Sequence, residues 1–273
     1  MIIIWGIDFW KKFIDKNKKR TPLTQDLLRA PGQSLLSQIN DIQTDIAAYM
    51  AAFVAMPSVF FSYYLLQLYR GTPGARFGAV LYVVTGIGFI VFAVYKIIQK
   101  IKLKRLYQLG FEAETAIGQE LNLLMRHGFY VFHDFPAKDF NIDHVLVGPQ
   151  GIFAVETKGR AKPVSAKGKK ESLLEYDGSV LKFPGWQETE PVEQAERQAL
   201  WLQQWLTSAV GQNVTVQPML AIPGWFIDST GFKKVPAING KNSIPFFTSP
   251  RWKTIPDQLC SGPRAAARPP SCG

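Results

Sequence analysis

A chain of 273 residues is long enough for one ordinary domain with appendages. Its 31 Lys and Arg against 21 Asp and Glu leave a formal net charge of +10, which fits a phosphate-bearing partner, either nucleic acid or an anionic lipid surface. Two cysteines, Cys260 and Cys272, both near the C-terminal end, exclude a disulfide framework and a cysteine-built zinc site.

The first element of note is Ile46 to Leu68, a charge-free stretch of roughly 23 residues that can cross a hydrocarbon core of about 30 Å as a helix. Pro57 near its middle predicts a kink. After the short link Tyr69–Arg76, Phe77 to Tyr95 is a second apolar run of single-crossing length, so the two form a hairpin. Cations flank its outer ends. Lys11, Lys12, Lys16, Lys18, Lys19, Arg20 and Arg29 precede it, and Lys96, Lys100, Lys102, Lys104 and Arg105 follow it. The link holds only Arg70 and Arg76, so the positive-inside rule puts both termini in the cytoplasm. The N-terminal segment does not have the order of a cleavable signal peptide, since Asp8 and a lysine cluster follow the opening apolar residues. It reads instead as a basic stretch lying on anionic lipid head groups. The predicted organisation is a basic N-terminal segment over 1–45 and the hairpin over 46–95. A soluble domain follows over 106–245, then an extension over 246–273 whose end, SGPRAAARPPSCG, is expected to be disordered.

In the soluble part, apolar residues at helical spacing predict a helix from Glu112 to His127, stopped by Gly128. Phe129–Phe132 reads as a short strand. Ile142–Val147 and Ile152–Lys158 read as two more, joined by the turn signal Gly148-Pro-Gln-Gly151. Pro191–Leu206 is a second helix opened by its proline, and Val214–Ile222 a further strand. That order implies an α/β fold with a mixed sheet flanked by helices. Trp201 and Trp205, four apart on the later helix, have the spacing of core residues; Trp186 and Trp225 are open to either packing or base stacking.

Polar residues inside apolar strands carry the chemistry. Glu156 and Lys158, two apart, project from one face. A two-residue loop of Pro149 and Gln150 sets Gly148 opposite Gly151 and, counted inward, Asp143 opposite Glu156. Carboxylates so placed repel unless a divalent cation lies between them. The same turn sequence also suits a glycine bulge that shifts the register by one, and both pairings remain open. His144 faces away from Asp143. The loop with Arg160, Lys162, Lys167, Lys169 and Lys170 is either a track for a nucleic-acid backbone or a solvated basic loop.

Gly110-Phe-Glu-Ala-Glu114, Ile142-Asp-His144, Gly151-Ile-Phe-Ala-Val-Glu-Thr-Lys158 and Pro191-Val-Glu-Gln194 occur in an order that resembles the nuclease-related domain family, NERD. This family is a branch of the PD-(D/E)XK nuclease superfamily. The resemblance implies an αβ nuclease-like core with a magnesium- or manganese-dependent phosphodiesterase centre, and the apolar hairpin ahead of it is expected to tether that centre to a bacterial inner membrane. By that resemblance Asp143 and Glu156 ligate the metal, with the carbonyl of Thr157 as a further oxygen. Lys158 positions the attacking water, Glu114 reaches the metal through water, and Gln194 shapes the site. Related nucleases carry a tyrosine where this chain has Gln198. The expected partner is nucleic acid, DNA foremost. The competing reading is a catalytically silent adaptor that binds nucleic acid or a protein at the membrane.

Overall fold

The computed structural model describes residues 28–71, 75–162, 172–229 and 233–252. The basic cluster from Lys11 to Arg20, the loop cations Lys167, Lys169 and Lys170, and the tail SGPRAAARPPSCG fall outside the described residues.

Two long helices open the structure, α1 (Gln33–Tyr69, 37 residues) and α2 (Ala75–Asn122, 48 residues). They pack against one another as a hairpin, tied at the polar end by Lys100 to Asp45 at 2.5 Å. Both are long and apolar enough to cross a membrane, and their most apolar windows are only 0% and 6% buried. Val54, Phe61, Val84 and Val91 stand at about 60% exposure or more, which removes a soluble-core role for these faces. Helix α1 runs through Pro57 without a break.

Helix α2 does not stop where the apolar run ends. It continues through the Lys96–Arg105 stretch into the segment where the sequence predicts a separate helix from Glu112. Nothing between Tyr95 and Glu112 breaks a helix except Gly110, and there the side chain of Leu35 packs 3.1 Å from where a Cβ would stand. A 3-10 turn, Leu123–His127, then ends on Gly128 with φ 83°, the left-handed stop read from the sequence.

A five-stranded mixed sheet follows in the order β1-β2-β3-β7-β9. Its strands are β1 (Tyr130–Pro136), β2 (Asn141–Gly148), β3 (Gly151–Thr157), β7 (Val216–Ala221) and β9 (Ala237–Ile238). Between β3 and the next long helix, β4 (Leu173–Tyr176), β5 (Leu181–Phe183) and β6 (Trp186–Glu188) form a second sheet, completed by β8 (Phe226–Asp228). These strands of three or four residues are too short to leave a period-2 signal in the sequence.

The sheet is covered on both faces. Ile117 and Leu121 of α2 and Leu124 of the 3-10 turn meet Leu146, Phe153 and Val155, joined by Phe247 of α4 (Ser243–Phe247) and by Trp252. On the other face Ala199, Leu202 and Leu206 of α3 (Glu190–Val210) meet Val145, Ile152 and Ala154, with Trp201 and Trp205 packed at the edge. Every residue of β3 is buried, as expected for a central strand between an antiparallel and a parallel neighbour.

The hairpin register answers the question the turn left open. Gly148 pairs Gly151 and His144 pairs Val155, so the two-residue loop holds and no bulge shifts the ladder. Gly148 is required because a Cβ there would fall 2.3 Å from the Phe129 ring.

Beyond β3, Gly159 lets α2 cross the end of the strand. A Cβ would stand 2.5 Å from the backbone carbonyl of Leu109, which cannot rotate away. Gly159→Ala is expected to cost about 1–3 kcal/mol by overpacking. Gly86→Ala, with no neighbour within 4 Å, serves as the control. Thermal unfolding of the full chain in detergent checks this, and equal midpoints for the two variants contradict the close-approach argument.

Candidate active site

The site gathers at the C-terminal end of β3. Alternation sends Phe153 and Val155 toward α2, and Ile152, Ala154 and Glu156 toward α3. Asp143 on β2 continues the same register to face Glu156, and its Oδ2 accepts the Thr157 N–H at 2.6 Å. Glu156 Oε1 takes the Lys158 ammonium at 2.7 Å, and Lys158 Nζ also donates to Gln194 Oε1 at 2.8 Å. Helix α3 thus supplies Gln194 as a brace, and one turn on, Gln198 lies against Glu156 and donates to the Asn141 carbonyl at 3.3 Å. Pro191 in the first turn of α3 sets the start from which that spacing counts.

Glu114 approaches from α2, on the opposite side of the sheet edge. It is 7% exposed, and its Oε2 has no hydrogen-bond partner. Glu156 Oε2 and Thr157 Oγ1 are also buried and unpartnered. Thus four residues predicted for the site, Asp143, Glu156, Lys158 and Gln194, form one connected set, with Glu114 within electrostatic reach of it.

The electrostatics follow from crowding acids in a low dielectric. Burial, then the charges of Asp134 and Glu156, push the Glu114 carboxyl up to about 8, against the pull of Lys158 and the Gly32 backbone N–H. Asp143 is raised well above the usual carboxylate range by burial and by Glu156 and Glu114, despite the bond from Thr157. Burial raises Glu156 as well, and Lys158 and Gln198 oppose it. A single ammonium does not neutralise three carboxyls, so the set holds protons or requires another cation.

The two orphaned carboxylate oxygens and Asp143 are hard oxygen donors, the chemistry suited to magnesium or manganese. Among the described residues no three His, Cys, Asp or Glu side chains lie close enough to hold a metal ion. A metal ion here would have two carboxylates, Asp143 and Glu156, and would need backbone or water oxygen to complete its shell.

The basic loop is less simple. Arg160 is committed to Glu188, with bonds of 2.8 and 2.6 Å, and Glu188 also accepts the Trp186 indole N–H at 2.9 Å. Lys162 lies over the Trp225 ring at 5.8 Å, and Trp225 is buried, donating to the Arg160 carbonyl. His144 faces away from the acids, fully buried, its Nδ1 2.8 Å from the Nδ1 of His133.

Asp134 is a site neighbour the sequence reading lacks. It is 2% exposed and, at φ 46°, the one non-glycine residue with positive φ among the described residues. The criterion that found Asp143, a carboxylate within an apolar strand, applies equally to Asp134 once β1 is extended past Phe132 to Pro136.

The raised carboxyls have a definite pH consequence. A group whose folded pKa lies above its unfolded value adds stability in full below the unfolded value and loses it as pH rises through the folded one. For Glu114 that window runs from 4.5 to about 8. In chelator, the melting midpoint of the wild type is expected to fall across that window, and Glu114→Gln to flatten the fall. Parallel profiles for the two proteins contradict the assignment.

Comparison with known proteins adds one match. Residues 109–223 fit the family model of the nuclease-related domain, NERD. No curated protein and no solved structure matches the chain. The matched span contains Glu114, Asp143, Glu156, Thr157, Lys158 and Gln194, the residues of the site described above. From its acids to the helix that braces them, this site lies within the span that matches the nuclease-related domain model, NERD, behind two long apolar helices.

Proposed function

We propose that the chain is a membrane-anchored nuclease that hydrolyses phosphodiester bonds of nucleic acid, DNA foremost, with magnesium or manganese. The observation that carries this reading is the pair of facing acids, Asp143 and Glu156, with unpartnered buried oxygen beside a lysine braced by Gln194. A bound divalent cation would polarise the phosphodiester and steady the leaving oxygen. Asp143, Glu156 and the Thr157 carbonyl would hold it, with Glu114 reaching it through water. Lys158, kept in place by Gln194, would orient the attacking water and offset charge on the phosphate. Lys162 and the loop cations Lys167, Lys169 and Lys170 would follow the backbone of the substrate. Arg160, bound to Glu188, would stiffen the base of that loop.

The apolar helices support a multi-pass anchor through 46–68 and 77–95, in a bacterial inner membrane with the domain on the cytoplasmic side. Lys96, Lys100, Lys102, Lys104 and Arg105 favour that orientation. The basic N-terminal segment would then rest on anionic lipid. Because α2 is unbroken, Glu114 lies 19 residues beyond Tyr95, roughly 28 Å along a helix axis at about 1.5 Å per residue. The site would therefore work one helix-length from the bilayer rather than on it.

A second reading has its own observation. Lys158 is bonded directly to Glu156, and among the described residues no three-acid cluster accompanies the pair, an arrangement that suits a silent nuclease fold acting as an adaptor. The discriminating experiment uses the full chain in detergent with linear, circular and single-stranded DNA and RNA, in magnesium, manganese or chelator. Metal-dependent cleavage is expected, lowered at least about 100-fold by Asp143→Ala or Lys158→Ala. Salt-dependent binding without cleavage, unchanged in both variants, is the adaptor's result.

A further inference from the structure

The segment ahead of α1 enters the site from outside the family-matched span. Gly32, the N-cap of α1, has φ 68° and no side chain with which to cap the helix. Capping comes instead from the domain. Asp134 accepts the Ser34 N–H at 3.1 Å, the Ser34 hydroxyl at 2.7 Å and the Arg29 guanidinium at 3.2 Å. An aspartate held at positive φ to make these bonds is strained, and the contacts are what offset that strain.

The same turn touches Glu114. The Gly32 backbone N–H favours the charged form of its carboxyl. A Cβ at Gly32 would stand 2.8 Å from the Phe111 ring and 3.6 Å from Glu114 Oε2. Pro31 sits against Gly118, where a Cβ would meet it at 2.5 Å. Phe111, Glu114 and Gly118 lie three and four apart, on one face of α2. That face is covered by the arm and not by the sheet alone. Asp134 itself stands across the ladder from Asp143, bracketed by the pairs His133–His144 and Phe135–Ile142.

We propose that the arm Arg29–Ser34, gripped by Asp134, is a positioning element of the acidic site. It sets Glu114 toward Asp143 and Glu156, so the site is complete only while the head of the first apolar helix is docked. This rests on the cation-dependent reading above. Ser34 and Ile46 belong to one continuous helix, roughly 18 Å apart along its axis. A tilt or shift of the hairpin in its bilayer therefore acts directly on Gly32 and Asp134. A fragment starting near residue 106 lacks the arm and leaves Asp134 and Glu114 without these partners.

The test is manganese titration of the full chain in detergent micelles by calorimetry, beside hydrogen exchange of the amides at 33–36. Ser34→Ala and Asp134→Asn are expected to speed that exchange and weaken manganese binding about 10-fold, the scale of a lost support behind a metal ligand. Ser34→Thr, which keeps the hydroxyl donor, should bind as the wild type does. So should Lys182→Ala, which removes an exposed ion pair with Asp177 in the second sheet. Faster exchange at 33–36 with wild-type manganese affinity overturns the proposal and reduces the contact to a helix cap. A wild type that binds no manganese removes the cation reading itself, and the positioning role with it.

Discussion

Two carboxyl groups, Asp143 and Glu156, face each other with a third, Glu114, in electrostatic reach, where the low dielectric of a packed sheet makes each ionised acid costly. One ammonium, Lys158, bonds directly to Glu156, and an amide from Gln194 keeps that ammonium in place. Much of the surrounding architecture can be understood as the means of bringing acids from three separated elements together. Strand β3 carries Glu156 with Lys158 just past its end, the tight turn at Pro149-Gln150 delivers Asp143 opposite, and α2 brings Glu114 across the strand end at Gly159. The remaining imbalance of charge gives a divalent cation a physical reason to bind there.

Continuity of α2 is the second organising fact. A helix of 48 residues joins the apolar hairpin to the site without a hinge, and α1 returns to cap itself on Asp134. The domain is thereby fastened to the hairpin at two places, the covalent run of α2 and the docked head of α1. A flexible linker would let the domain reach in all directions. Two rigid attachments instead hold the site at a set distance and attitude relative to whatever surrounds the apolar helices.

Much of this was legible in the residues themselves. The glycine stop at Gly128, the turn at Gly148–Gly151 and the proline-opened helix at Pro191 each have a local cause, and each stands where that cause puts it. The register of Asp143 was not legible, because a two-residue loop and a glycine bulge share the same turn residues, and the pairing of Gly148 with Gly151 shows itself only in the folded ladder. The fusion of the two predicted helices was hidden by a change of composition, apolar to basic, that carries no change of conformation. Asp134 was hidden twice. Its strand was read too short, and its left-handed backbone is imposed by contacts with residues a hundred positions away.

A cation binding at these acids would have to displace the protons they hold. Calorimetric magnesium titration of the full chain near pH 7, repeated in buffers of different ionisation enthalpy, counts protons released per cation. With Glu114 near 8 and Asp143 raised well above its ordinary value, release of at least about one proton is expected. Magnesium binding with no proton released would contradict the picture of crowded, partly protonated acids waiting on a metal.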